Sequence, residues 1–245
     1  MKQTYVRTAT LVALSFTVPA FASLYEVDSP EIADRIELKT GIYYRNAATS
    51  DLLVFPTLEL QAPAARDLEI EVDGGYGHEV QTNGRRLRVG RATVEMKWRF
   101  LSGDRDHPSL ALIPELTVPL RGSSASADQP AMKLEIPIVL EKGLGPLMVD
   151  VRAGYGRELE SQGESFVPVG VLVRYHINPS LEIGAEATGE LPCQDLEDSS
   201  LSLDAGLKWK ATGRLEFQGL VGRTMRSSAL EEESLRIKLE VVTAL

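Results

Sequence analysis

The sequence predicts an all-β protein: a closed antiparallel transmembrane β-barrel of about twelve strands behind an N-terminal signal peptide. Three observations predict it. Apolar and polar residues alternate through nearly the whole chain, as in Leu201, Leu203, Ala205, Leu207 and Trp209 against Ser202, Asp204, Gly206, Lys208 and Lys210. The connections between alternating segments are short and long by turns. The apolar face ends in aromatic residues at both extremes, while the opposite face is charged.

The first element is the leader. Lys2 and Arg7 precede an apolar stretch from Ala9 to Val18, and Ala20-Phe21-Ala22 follows Pro19. That is a positive n-region, a short h-region and an A-x-A cleavage site. The apolar run falls well short of the roughly 20 residues that a spanning helix needs. Residues 1–22 are therefore expected to be a signal peptide cleaved after Ala22, and 23–34 a short periplasmic N-terminal segment. Within that segment "SPEIADR" is the one helical-looking piece. Residues 35–245 are expected to form the barrel as a single domain.

The chain has 26 basic and 35 acidic residues; without Lys2 and Arg7 the mature part carries a net charge of −11. This balance argues against nucleic-acid binding, which needs a basic face. Cys193 is the one cysteine, so no internal disulfide can form. No clustered Cys and His pattern suggests a metal, and no cofactor is expected.

The strands follow in order near 35–45, 51–61, 67–78, 87–101, 109–120, 131–141, 146–157, 165–177, 180–191, 200–210, 214–223 and 234–245. "AAR", "KGLG", "INPS" and "ATG" are tight gaps, with "SGDRDHP" a little longer. "EVQTNGRR", "RGSSASADQP", "ELESQGES", "LPCQDLEDSS" and "RTMRSSALEEES" are the long ones. Outer-membrane barrels have short periplasmic turns and longer external loops. With both termini periplasmic, every long gap falls outside. In the fourth strand Leu87 and Val89 are odd while Val94 and Met96 are even, so a bulge, or a start nearer Ala92, is expected at Gly90-Arg91. The last strand, "SLRIKLEVVTAL", closes on the first and leaves no open edge.

On this register Tyr44, Tyr76 and Tyr155 lie at upper strand ends, and Trp98, Phe100, Tyr175 and Trp209 at lower ends. All share the phase of the aliphatic residues, as the aromatic girdles of a membrane barrel do. The inward set holds charges of both signs, including Lys97, Glu115, Glu135, Arg152, Arg174, Glu186 and Lys208, with Gly41, Gly154, Gly170, Gly184 and Gly206 among them. These are the candidate lumen-lining residues. Of the three histidines, His78 and His176 face inward on this register and His107 lies in a turn. None sits in a G-x-S-x-G elbow and no outward Ser–His pair is readable, so no enzymatic activity is expected.

"VEMKWRFL", "LALIPELTVPL", "LGPLMVDVRAGYGRE", "VLVRYHINPSLEIGAEATGEL" and "LSLDAGLKWKATGRLEFQGLVG" resemble, over about residues 67–225, outer-membrane barrels assigned to meta-pathway phenol-degradation transport. The resemblance implies transport of small solutes, aromatic ones among them. The sequence departs from the pattern where it ends in Leu245 rather than an aromatic, and in Pro119-Leu120-Arg121-Gly122. Expected partners are outer-membrane lipid, lipopolysaccharide at the basic "GRRLRVGR", the barrel assembly machinery and a small-molecule solute. Two other readings stay open: a non-conducting structural or surface-binding barrel, and a soluble exported β protein.

Overall fold

The computed structural model describes residues 24–48, 50–104, 107–120, 132–159, 163–194, 199–226 and 234–245; the expected signal peptide lies outside them. Strands run Glu37–Ala47 (β1), Ser50–Ala65 (β2), Leu68–Gln81 (β3), Arg86–Leu101 (β4), Ser109–Leu112 (β5), Glu115–Pro119 (β6), Lys133–Leu144 (β7), Leu147–Glu158 (β8), Ser165–Asn178 (β9), Leu181–Pro192 (β10), Ser200–Lys210 (β11), Leu215–Arg226 (β12) and Ser234–Ala244 (β13). Every pairing is antiparallel, and β13 returns to β1 from Glu37↔Ala244 through Ala47↔Ser234. The sheet is closed, so no row of backbone donors is left open to lipid.

β5 and β6 are two halves of one stave. Both lie between β4 and β7, and Trp98↔Leu112 and Glu95↔Glu115 keep one register across the gap. The interruption falls at Ile113-Pro114, where proline has no N–H for the ladder. Neighbouring groups still pair: the Met96 amide donates to the Pro114 carbonyl (3.0 Å) and the Ile113 amide to the Pro137 carbonyl (3.0 Å). The barrel therefore has twelve staves. Connections at the end where β1 begins and β13 ends are tight, as at 145–146 and 179–180. Gly145, at φ +70°, makes one tight turn in a conformation that a side chain disfavours.

Exposure shows which face meets which medium. Leu203 is 47% exposed and Leu239 53%, while Glu59 is 1% exposed and Asp150 is fully buried. The outer surface is aliphatic and the charges line the inside, the reverse of a soluble sandwich. Trp98 and Phe100 sit 5.8 Å apart, and Trp209 and Phe217 5.7 Å apart, as tilted and stacked pairs on that outer surface.

Four expectations are corrected. β4 has no bulge at Gly90-Arg91: its register with β3 is unbroken from Leu68↔Trp98 to Val80↔Arg86. Leu87 and Val89 keep their parity and face inward, where Leu87 is 3% exposed. Register shifts occur instead in β4 between Arg99 and Leu101, opposite β5, and in β2 between Val54 and Thr57 around Phe55-Pro56. The shift in β2 puts Leu52 and Val54 inward together with Thr57 and Glu59. His78 lies on the outward parity of β3, alternating with Glu79, because no bulge reverses the pleat. Residues of "SPEIADR" form bends rather than a helix. Finally, the sequence places residues 23–34 outside the barrel, whereas Leu24 to Ala33 lie against lumen-facing side chains.

Candidate functional site

The candidate site is the lumen and the segment threaded into it. From the end of the barrel where β1 begins and β13 ends, the chain, traced backwards, passes inward from Arg35 to Leu24. Near the mouth, Arg35 donates to the Gly213 carbonyl (3.2 Å), and the Ala33 amide to Glu69 (2.5 Å). Ser29 donates its hydroxyl to Glu141 (2.8 Å), and Asp28 pairs with Lys97 at 2.5 Å. Higher up, the amides of Glu26 and Val27 donate to the two oxygens of Glu186 at 3.0 and 2.9 Å. Arg152 donates to the Glu26 carbonyl at 2.6 Å. The Glu26 carboxylate accepts from Arg236 at 3.4 Å and from the Thr188 hydroxyl. Backbone groups that would otherwise be unpaired are thus met by the wall.

Apolar contacts reinforce these bonds. Leu24, Tyr25 and Val27 are at most 3% exposed and cluster with Leu172 and Leu220 of the wall. The wall can receive them because it is smooth there. A Cβ on Gly170 would lie 2.5 Å from Val27, one on Gly184 2.6 Å from the Tyr25 hydroxyl, and one on Gly206 2.8 Å from the Tyr25 ring. Gly184 and Gly206 are register partners, so the two strands make a single flat floor under the ring. Lys208 caps it, with its Nζ 5.3 Å from the ring centroid, within cation–π range.

Electrostatics favour the seated state. The Glu26 side chain keeps 54% of its surface open to the lumen, and Arg236, the Thr188 hydroxyl, Arg152 and Lys133 hold its carboxyl below its usual range. At Asp28 burial works against ionisation but is outweighed, chiefly by Lys97 and then by Lys39, with the same result. Burial pushes the Tyr25 phenol up, and Glu182 and Glu186 add to the shift.

The wall around the segment is a lattice of ion pairs. Arg174 bridges Asp150 (3.0 Å) and Glu141 (2.6 Å), with Glu182 at 3.8 Å. Arg152 holds Glu135 (2.6 Å), with Glu115 at 3.9 Å. Lys97 holds Glu69 (3.0 Å), and Lys39 pairs with Glu59. One feature runs against this pairing. Glu71, Glu95, Glu115 and Glu135 stand abreast on β3, β4, β6 and β7, each in direct register with the next. Like charges facing one another across strands destabilise a sheet.

The segment divides the lumen. On the loop side lies a cavity of about 280 Å³, bounded by Leu24 and Glu26 and by Leu52, Val54, Val89, Leu220, Arg45, Arg91 and Arg236. On the terminal side lies a polar vestibule of about 730 Å³, reached by Lys97, Arg174, His176 and Lys208. His176 approaches Glu182 at 3.4 Å, and His107 bonds Asp104 in its turn. Tyr44 and Tyr155 donate or share hydrogen bonds with Asp51 (3.2 Å) and Ser165 (2.9 Å), and Arg88 lies 4.3 Å over the Tyr76 ring. Tyr175 is 44% exposed on the outer face. Cys193 is exposed and its thiol is free. The segment itself was missed from the sequence. Its signal was the apolar Leu24, Tyr25 and Val27 ahead of the first strand, together with inward glycines that had no evident role.

No family model matches this sequence, and no curated protein does so at a significant level. Solved structures do match in fold. The NanC porin is 13% identical, with a TM-score of 0.62, over 85% of this chain and 99% of that one. The KdgM porin is 9% identical, with a TM-score of 0.59, over 84% and 99%. An outer membrane channel from Pseudomonas putida F1 is 14% identical, with a TM-score of 0.61, over 90% and 98%. The chain thus shares the fold of outer-membrane porin-like barrels.

Proposed function

We propose that this chain is an outer-membrane channel for small solutes, closed at rest by its own N-terminal segment. The observation that carries the reading is the seating of Leu24 to Ala33 on the lumen wall by contacts that can be made and broken without disturbing a strand pair. The porin-like fold of its structural neighbours supports transport rather than enzymatic chemistry, and supports the outer membrane as its place. Lys97, Glu115, Glu135, Arg152, Arg174, Glu186 and Lys208 line the path. The solutes include aromatic compounds, in keeping with the resemblance to phenol-degradation transporters and with the apolar side of the loop-end cavity. Lipid, lipopolysaccharide and the barrel assembly machinery are its partners. A second reading, a non-conducting barrel that works through its external loops, is favoured by the density of ion pairs across the wall.

One experiment separates the two. Val27→Cys and Gly170→Cys, in a Cys193→Ala background, place two thiols within bonding reach, since a Cβ added at Gly170 would lie 2.5 Å from a Val27 methyl. Oxidised protein in a planar bilayer should stay closed, and reductant should restore stepwise current and swelling with phenols, sugars or amino acids. Protein that passes neither current nor solute in either state, even with the segment unseated by mutation, is the non-conducting barrel.

A further inference from the structure

We propose that the lumen contains a recognition site for a carboxylate bearing a neighbouring amide, that Glu26 fills it in the closed state, and that an N-acylated acidic amino acid or short acidic peptide fills it when the segment leaves. The proposal rests on the segment being displaceable, as argued above.

Four side chains from three strands converge on one residue. Arg236 of β13 and Thr188 of β10 donate to the Glu26 carboxylate. Arg152 of β8 donates to its carbonyl, at 2.6 Å. Glu186 of β10 accepts its amide N–H, at 3.0 Å. Every polar group of an acidic residue is therefore read by a side chain of the wall, and none of these contacts depends on the chain continuing beyond residue 26. An arginine carries five donors in a fixed fork, which suits carboxylates. Here the forks are not exhausted by the wall. Arg236 spends one arm on Asp204 and Arg152 one on Glu135. The Nε of each is buried without a hydrogen-bond partner among the described residues. The remaining arm of each, Nη1, is the one that reaches Glu26.

The surroundings set the rest of the ligand. The cavity of about 280 Å³ opens directly from Glu26 towards the loop side. Leu52, Val54 and Leu220 line one part of it and Arg45 another. It can hold the acyl group or side chain of a small acid whose carboxylate stays on Arg236. Glu186 sets the specificity. With the segment gone, this carboxylate faces the site, repels a simple anion and rewards one that presents an N–H. A plain fatty or aromatic acid lacks that donor.

The test uses the full chain in detergent, with two arms. In Glu26→Ala the carboxylate place is empty while the backbone of the segment remains. The thermal midpoint should fall, and propionate, but not propionamide, should restore it saturably. The additional change Arg236→Gln should weaken that rescue about tenfold or more. In Tyr25→Ala, whose changed residue lies outside the strands, calorimetry should show binding of N-acetylglutamate methylamide. The glutamine analogue, which differs only in charge, should bind about tenfold more weakly or not at all. Equal effects of propionate and propionamide, or rescue that survives Arg236→Gln, overturn the site. Equal affinity for the two blocked amino acids overturns the solute class. Neither readout is a current, so a barrel that never conducts would refute the channel and leave this result to stand or fall by itself.

Discussion

Tyr25→Ala should open the closed channel without unfolding the barrel. Tyr25 is 3% exposed, lies on the floor made by Gly184 and Gly206, and is capped by Lys208. Truncating a buried aromatic side chain costs about 3–5 kcal/mol in a protein core. The lumen is polar and has adjoining space, so the lower end applies, about 3 kcal/mol of seating free energy. That shifts the seated-to-unseated ratio roughly a hundredfold. A segment unseated about 0.1% of the time would then be unseated about 10% of the time. The strand pairs are untouched, so heat-modifiable migration and circular dichroism should match the parent. Single-channel recording in planar bilayers reads the open probability directly. Tyr25→Phe is the control: it keeps the ring on its glycine floor and should stay closed. A folded Tyr25→Ala barrel whose open probability equals that of the parent would refute the reasoning, and would mean that the ion pairs of the wall close the lumen by themselves.

Acid should open the channel as well. Glu26 and Asp28 have folded-state carboxyls held below their usual range, so their contribution to seating is complete above that range and is lost as pH falls through the lowered values. Current should therefore be flat between about pH 5 and 8 and rise only on stronger acidification, and a rise already at neutral pH would contradict the assignment. Glu95→Gln should stabilise the barrel by about 0.5–1 kcal/mol, because it removes the middle charge of the row formed with Glu71 and Glu115. Urea unfolding from liposomes checks this; a lower midpoint would show that Glu95 is held by compensating cations. Arg85→Glu with Arg86→Glu, two exposed side chains at the loop end, should reduce co-purifying lipopolysaccharide. An unchanged lipid content would place the lipid contact elsewhere.

The strands were legible because the signal is local. Successive side chains of a strand point to opposite faces, so alternation alone located all twelve staves and separated the aliphatic face from the charged one. The same rule, applied with apolar residues always outward, failed at Leu87 and Val89. Both are apolar and inward at the loop end, where Val89 borders the cavity rather than lipid. It also missed the irregularity at Phe55-Pro56, which alternation on either side does not announce.

The sequence by itself thus determined the barrel, its sidedness and its pattern of short and long connections. Only the tertiary structure decided what fills the barrel. Glu26 meets Glu186 across 160 residues and Arg236 across 210. The floor beneath Tyr25 exists only where glycines from two strands come side by side. A periodicity records which way a side chain points, but a docking place is a volume enclosed by distant strands, and it comes into being when the sheet closes.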